Sequence, residues 1–192
     1  NRKKNMRILT VSLLMFIYSV SVFAQNTGEV KLVDAAGGEV LTYSKDESTG
    51  YVRVSDGDDP QSVMVKIVST IDSVEITLSR DAAGAFSGSF ALALGAEGVP
   101  NDEVLQAVAG TELIAEYVDS KDSFGNVVTL TDKSFFGVTL VTGAISTNRT
   151  WNKSGSPYLV TGDVTVSNQS VLTVDPGVEV RFMTPSDLST GD

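Results

Sequence analysis

The chain has 192 residues, of which 24 are acidic and 14 basic, so its net charge is −10. It contains no Cys and no His, which excludes disulfides and Ser-His-Asp or Cys-His catalytic sites and argues against structural zinc. The acidic balance excludes nucleic acid as a partner and favours cations.

The first predicted element is a secretory signal peptide, residues 1–24. Four basic residues lie before an apolar run that extends from Ile8 to Phe23. Val22 and Ala24 are small enough for a cleavage site. The alternative is a membrane anchor, but the run is shorter than the roughly 20 residues that a spanning helix needs. We therefore predict export to the cell surface or the medium, with no membrane span after cleavage. The exported chain would carry 10 basic against 24 acidic residues, a net charge of −14.

Apolar and polar residues alternate with period two through most of residues 25–142. The alternation predicts strands near 29–33, 39–43, 50–55, 62–69, 73–79, 84–93, 112–119, 126–131 and 134–142. Short strands bounded by turn residues are typical of antiparallel sheets with one solvated face. We predict an immunoglobulin-like antiparallel β-sandwich. Only residues 101–110 favour a helix, of one or two turns.

Residues 143–156, GAISTNRTWNKSGS, break this alternation and are rich in polar and turn-forming residues. We interpret them as a linker or bridging loop. The single tryptophan, Trp151, lies in this segment. A lone Trp usually buries most of its ring, so we predict that Trp151 covers the junction between two β units. The alternative is an exposed ligand platform.

The last segment, 157–192, contains three predicted short strands near 164–166, 172–174 and 178–182. Asp175-Pro176-Gly177 separates the last two as a turn, because Pro fixes φ and Gly adopts positive φ. Three short strands in so few residues are close to one coil of a parallel β-helix, a solenoid of stacked coils. Such repeats need about three units for stability, so we expect the coil to be truncated and the chain to belong to a longer protein.

Two resemblances support these assignments. Residues 151–182, from Trp151 through SPYLVTGDVTVSNQSVLTVDPGVEVRF, resemble the opening coil of right-handed parallel β-helix regions in large bacterial secreted and surface proteins. They depart from that pattern at residues 168–170, NQS, where Gly or Ala is commoner. Residues 28–142 are similar to an immunoglobulin-like repeat of bacterial surface proteins, through YVRVSDGDD, VMVKIVS, VEITLS and FSGSF.

The two resemblances imply a non-catalytic structural or adhesion module of a larger β-helix protein. Glycans or cell-surface proteins would be its partners. The alternative is an accessory region of a β-helix polysaccharide lyase or glycoside hydrolase, whose active site would lie downstream. No catalytic residue is predicted within this chain, because no base with an orienting partner is recognisable.

Two acidic loops are candidate cation sites, SDGDDPQ and DSKDSFGN. Both follow predicted strands and are expected at the same end of the sandwich. Clustered carboxylates there suit calcium, which takes about six to eight oxygen ligands. The alternative is that these residues only form turns, since neither loop has the D-x-D-x-D-G spacing of a dedicated calcium loop. The predicted metal ligands are Asp56, Asp58, Asp59, Asp119 and Asp122.

Overall fold

The computed structural model describes residues 27–58, 61–81, 84–99 and 102–183. Within these ranges, regular structure consists of strands and one 3₁₀ turn, Lys153–Gly155. This confirms the predicted all-β class. No helix in these ranges is long and apolar enough to cross a membrane. The predicted signal peptide, 1–24, and residues 184–192 of the predicted coil lie outside the described residues.

The strands are numbered in chain order. They are β1 (Glu29–Val33), β2 (Thr42–Tyr43), β3 (Thr49–Ser55), β4 (Ser62–Val68), β5 (Ser73–Ser79), β6 (Phe86–Leu94), β7 (Val104–Ala107), β8 (Thr111–Asp119), β9 (Val128–Phe136), β10 (Thr139–Ile145), β11 (Arg149–Trp151), β12 (Tyr158–Val166), β13 (Leu172–Val174) and β14 (Val180–Phe182).

The strands β1 to β9 form two sheets that share one hydrophobic core. The first sheet has the order β1-β3-β6-β7 and the second the order β2-β9-β8-β4-β5. Alternate residues such as Val52 and Val54 of β3 and Val65 and Ile67 of β4 are fully buried in this core. Burying each such side chain contributes about 1.5–3 kcal/mol. The arrangement is compatible with a β-sandwich.

Both sheets are mixed rather than wholly antiparallel, which corrects the prediction. Strand β7 pairs parallel to β6, and the short β2 pairs parallel to β9. Nine residues, 95–103, separate β6 from β7. The segment predicted as one or two helical turns therefore contains a strand, with Leu105 and Ala107 buried in the core.

The last five strands form two small parallel sheets. In one the order is β10-β12-β14, and in the other β11 pairs with β13. Residues 143–156, interpreted as a linker, therefore contribute the end of β10 and all of β11. The sequence pattern did not predict β11, because only Trp151 of its three residues is buried and the other two are polar and exposed.

These strands surround a second, smaller core. Trp151 is 4% exposed, and its ring stacks on Tyr158 with centroids 4.9 Å apart. The predicted burial of Trp151 is confirmed. Its cluster consists of Val141, Ile145, Tyr158 and Val160, so it packs within the second core rather than across the junction of the two units.

The two units meet over a short connection. Only Gly137 and Val138 separate β9 from β10, and Val138 is buried. Nearby, the guanidinium of Arg181 donates to the carbonyl of Gly110. A Cβ atom at Gly110 would lie 2.7 Å from Cγ of Pro157, so this contact requires glycine. The junction is thus closely packed.

Candidate functional site

Three carboxylates from different parts of the chain meet at one end of the larger unit. Asp56 and Asp58 follow β3, and Asp119 is the last residue of β8. One oxygen of each lies within 4.8 Å of the others. The two acidic loops therefore do come together, as the sequence predicted. We refer to Asp56, Asp58 and Asp119 as the acidic cluster.

Asp119 is fully buried, and backbone donors hold both of its oxygens. The N–H of Gly28 donates to Oδ2 at 2.7 Å, and the N–H of Lys121 donates to Oδ1 at 2.8 Å. The first bond fixes the chain just before β1 to the end of β8. The second closes the turn that leaves β8. Asp119 therefore organises the site as well as contributing to it.

Asp56 is 9% exposed and is held from two sides. The hydroxyl of Tyr117 donates to Oδ2, and the N–H of Asp58 donates to Oδ1 at 2.7 Å. Burial of Tyr117 raises the pKa of its hydroxyl well above the ordinary value, and the bond to Asp56 raises the pKa further. Tyr117 therefore stays protonated and remains a donor.

Asp58 completes the cluster with an oxygen that has no donor. Its Oδ2 atom is covered but has no hydrogen-bond partner among the described residues. Loss of solvation, followed by the nearby charges of Asp56 and Asp119, raises the pKa of Asp58. The charged form is therefore disfavoured, which a bound cation would reverse.

The donor set fits a hard cation such as calcium. Calcium binds oxygens at 2.3–2.6 Å, so two of its ligands lie at most about 5 Å apart, and the separation in the acidic cluster satisfies this limit. The oxygens that accept N–H or O–H bonds retain a second lone pair for a metal. Of the oxygens in the cluster, Oδ2 of Asp58 is the one that is buried without a hydrogen-bond donor, so it is available to bind a cation.

Asp122, a fourth predicted ligand, does not join the acidic cluster. Asp122 closes its own turn, accepting from the N–H groups of Phe124 and Asn126 at 2.8 and 2.7 Å. The bond from Asn126 lowers the pKa of Asp122. Asp122 thus acts as a turn former, the alternative that the sequence left open. Asp59 lies outside the described residues.

Sequence reasoning missed Gly28 and Tyr117. Gly28 contributes only a backbone N–H, which leaves no signal in the side-chain pattern. Tyr117 could have been found, because it lies two residues before Asp119 on the inward face of β8, with a hydroxyl that needs a partner when buried. The sequence matches neither a protein-family model nor a curated protein, so no relative points to a further site residue.

Proposed function

We propose that this chain is an exported, non-catalytic structural and adhesion module. In this proposal residues 25–142 are an immunoglobulin-like sandwich, and the strands that follow begin a right-handed parallel β-helix of a larger bacterial surface protein. The sandwich would act as a spacer and interaction domain. Its partners would be glycans or cell-surface proteins.

The observation that carries the proposal is the register of the parallel strands. Tyr158 lies opposite Thr139 on one side and Val180 on the other, and Arg149 lies opposite Leu172. Successive strands are therefore spaced by about 20 residues, the length of a solenoid coil. A stacked coil of this kind supports a scaffold that presents surfaces.

Burial along the stack supports the same proposal. Val141 and Ile145, on β10, are buried, whereas Val178 and Val180, at the other end, are only partly buried. Phe182 is 72% exposed. In a solenoid, each coil covers the apolar residues of the one before it. Among the described residues, apolar side chains are therefore less covered at the β14 end of the stack than at the β10 end.

The test is to separate binding from cleavage. Residues 25–192 would be immobilised and offered a panel of acidic and neutral polysaccharides and of surface-protein extracts. We expect retention of at least one ligand with no release of new reducing or unsaturated chain ends. Release of such ends by the pure chain would contradict a non-catalytic role. Absence of all retention would contradict adhesion.

We propose in addition that calcium stiffens the acidic end of the module. The meeting of Asp56, Asp58 and Asp119, with an unpartnered oxygen on Asp58, supports this role. A calcium ion would offset two of the three negative charges of these adjacent carboxylates and tie the loop after β3 to the end of β8. Stabilisation follows mass action, about 2.7 kcal/mol at a calcium concentration 100 times the Kd.

The calcium proposal is tested by melting the chain in EDTA and in calcium chloride. We expect calcium, but not magnesium at the same concentration, to raise the Tm. The double variant Asp56→Asn, Asp119→Asn should abolish the rise. Asp163→Asn, an exposed residue of β12 outside the cluster, is the matched control and should retain it. A wild-type chain whose Tm ignores calcium would end this proposal.

A further inference from the structure

The outer face of the second sheet carries an open groove of about 680 Å³ beside the acidic cluster. The strands β4, β5 and β8 form its floor. Lys66 on β4 lies opposite Glu75 on β5 and opposite Glu116 on β8. One row of the groove is thus a lysine between two carboxylates.

The adjacent row is apolar at its centre. Met64 is 61% exposed and Val118 57% exposed. Met64 lies opposite Thr77 on β5, and Val118 lies opposite Thr129 on β9. Because Val65 lies opposite Tyr117, Met64 and Val118 are cross-strand neighbours. An exposed apolar pair at the centre of a sheet is a contact that a partner can cover.

Negative charge predominates around Met64 and Val118. Among the described residues, the groove is lined by four carboxylates and one lysine, Lys66. The carboxylates are Asp56, Asp58, Glu75 and Glu116. A long basic side chain places its aliphatic stem on apolar surface and its charged head among carboxylates. The groove is complementary to such a side chain.

We infer that this groove binds a basic polypeptide segment of a partner protein, in which Arg or Lys alternates with apolar residues. The inference rests on the proposed role as an interaction module and names one class of partner for it. Anionic lipid or nucleic acid would be repelled. A glycan usually requires an exposed ring to stack on, and the aromatic residue of the lining, Tyr117, is buried in the core.

The probe is a synthetic peptide, acetyl-Leu-Arg-Leu-Arg-Leu-amide, titrated into ¹⁵N-labelled residues 25–192 in EDTA. We expect saturable shifts of the backbone amides of β4 and β8, and binding that weakens as salt is raised. Glu75→Gln and Glu116→Gln should each weaken binding by about two- to fivefold, the range for partly exposed ion pairs. Met64→Ser should also weaken it, by removing apolar contact.

Two controls make the test specific. The peptide with both Arg replaced by Glu should not bind, and Glu97→Gln, an exposed carboxylate in the turn after β6, should bind like the wild type. Equal binding of the Arg and Glu peptides, shifts mapping to another face, or unchanged affinity in the two groove variants would each overturn the inference. Because Glu75 and Glu116 lie outside the acidic cluster, a missing calcium response would not affect this result. Polysaccharide retention is likewise measured separately.

Discussion

Replacing Asp119 by Asn tests how the acidic end is held together. The carboxylate of Asp119 accepts from two backbone donors, the N–H groups of Gly28 and Lys121. An Asn side chain has the same shape but only one acceptor atom. Whichever way the amide turns, its NH₂ group faces one of the two donors. The variant therefore leaves one N–H unsatisfied at a fully buried position.

The magnitude follows from two opposing effects. A hydrogen bond to a charged group contributes about 1.5–3 kcal/mol, and a buried donor without a partner costs a similar amount. Removing the charge also relieves repulsion of Asp58, but that carboxylate is partly solvated, so screening makes the relief smaller. We expect a net loss of about 1–3 kcal/mol in the free energy of unfolding. The Tm should fall by about 3–10 °C.

The assay is urea denaturation of the wild type and Asp119→Asn, each in EDTA and in calcium. The variant should unfold at lower urea with an unchanged slope, and it should not respond to calcium. Asp163→Asn should match the wild type in both buffers. A variant as stable as the wild type in EDTA would refute the argument, because it would mean that the two backbone bonds contribute nothing net.

Three further predictions follow. Gly50→Ala should destabilise the chain by about 1–3 kcal/mol in chemical denaturation, because its Cβ would lie 2.2 Å from the ring of Phe90; Phe90→Leu should relieve part of that loss, and additive losses would contradict the clash. Trp151, the single Trp, should fluoresce in the blue region and report melting of the second core alone; red-shifted emission in the native chain would contradict its burial. Because the pKa of Asp58 is raised in the folded chain, the folded state binds a proton more readily than the unfolded state. In EDTA, Asp58→Asn should therefore be more stable than the wild type at neutral pH, and this advantage should shrink as the pH falls through the raised pKa towards the ordinary value; a pH-independent difference would contradict the shift.

The sequence predicted most strands of the larger unit, because alternation fixes which residues face inward. The segments 62–69 and 73–79 correspond closely to β4 and β5. The predictions 126–131 and 134–142 were wrong in their division, since β9 runs through Val128–Phe136 and β10 starts at Thr139. The polar run TDKS resembles a turn but lies inside β9.

The reason is a partner that the local sequence does not reveal. Asp132 is 5% exposed, and the N–H of Leu32 in β1 donates to its Oδ2 at 2.7 Å. Burial raises the pKa of Asp132, and this bond partly opposes the rise. The donor is 100 residues away in sequence. The acidic cluster also depends on a distant partner, because the two loops were visible in the sequence but the backbone N–H of Gly28, which donates to Asp119, was not.

At Gly137, between β9 and β10, the buried positions change from even-numbered to odd-numbered residues. In β9 the inward residues are even-numbered, ending with Ser134 and Phe136, whereas in β10 they are odd-numbered, Val141 and Ile145. Gly137 adopts φ +67° between them, a conformation that side chains disfavour. A one-residue insertion or deletion here would turn the apolar side of β10 outward. One nearly continuous stretch of chain therefore contributes side chains to both cores, and the conformation of Gly137 sets which side of β10 faces the second core.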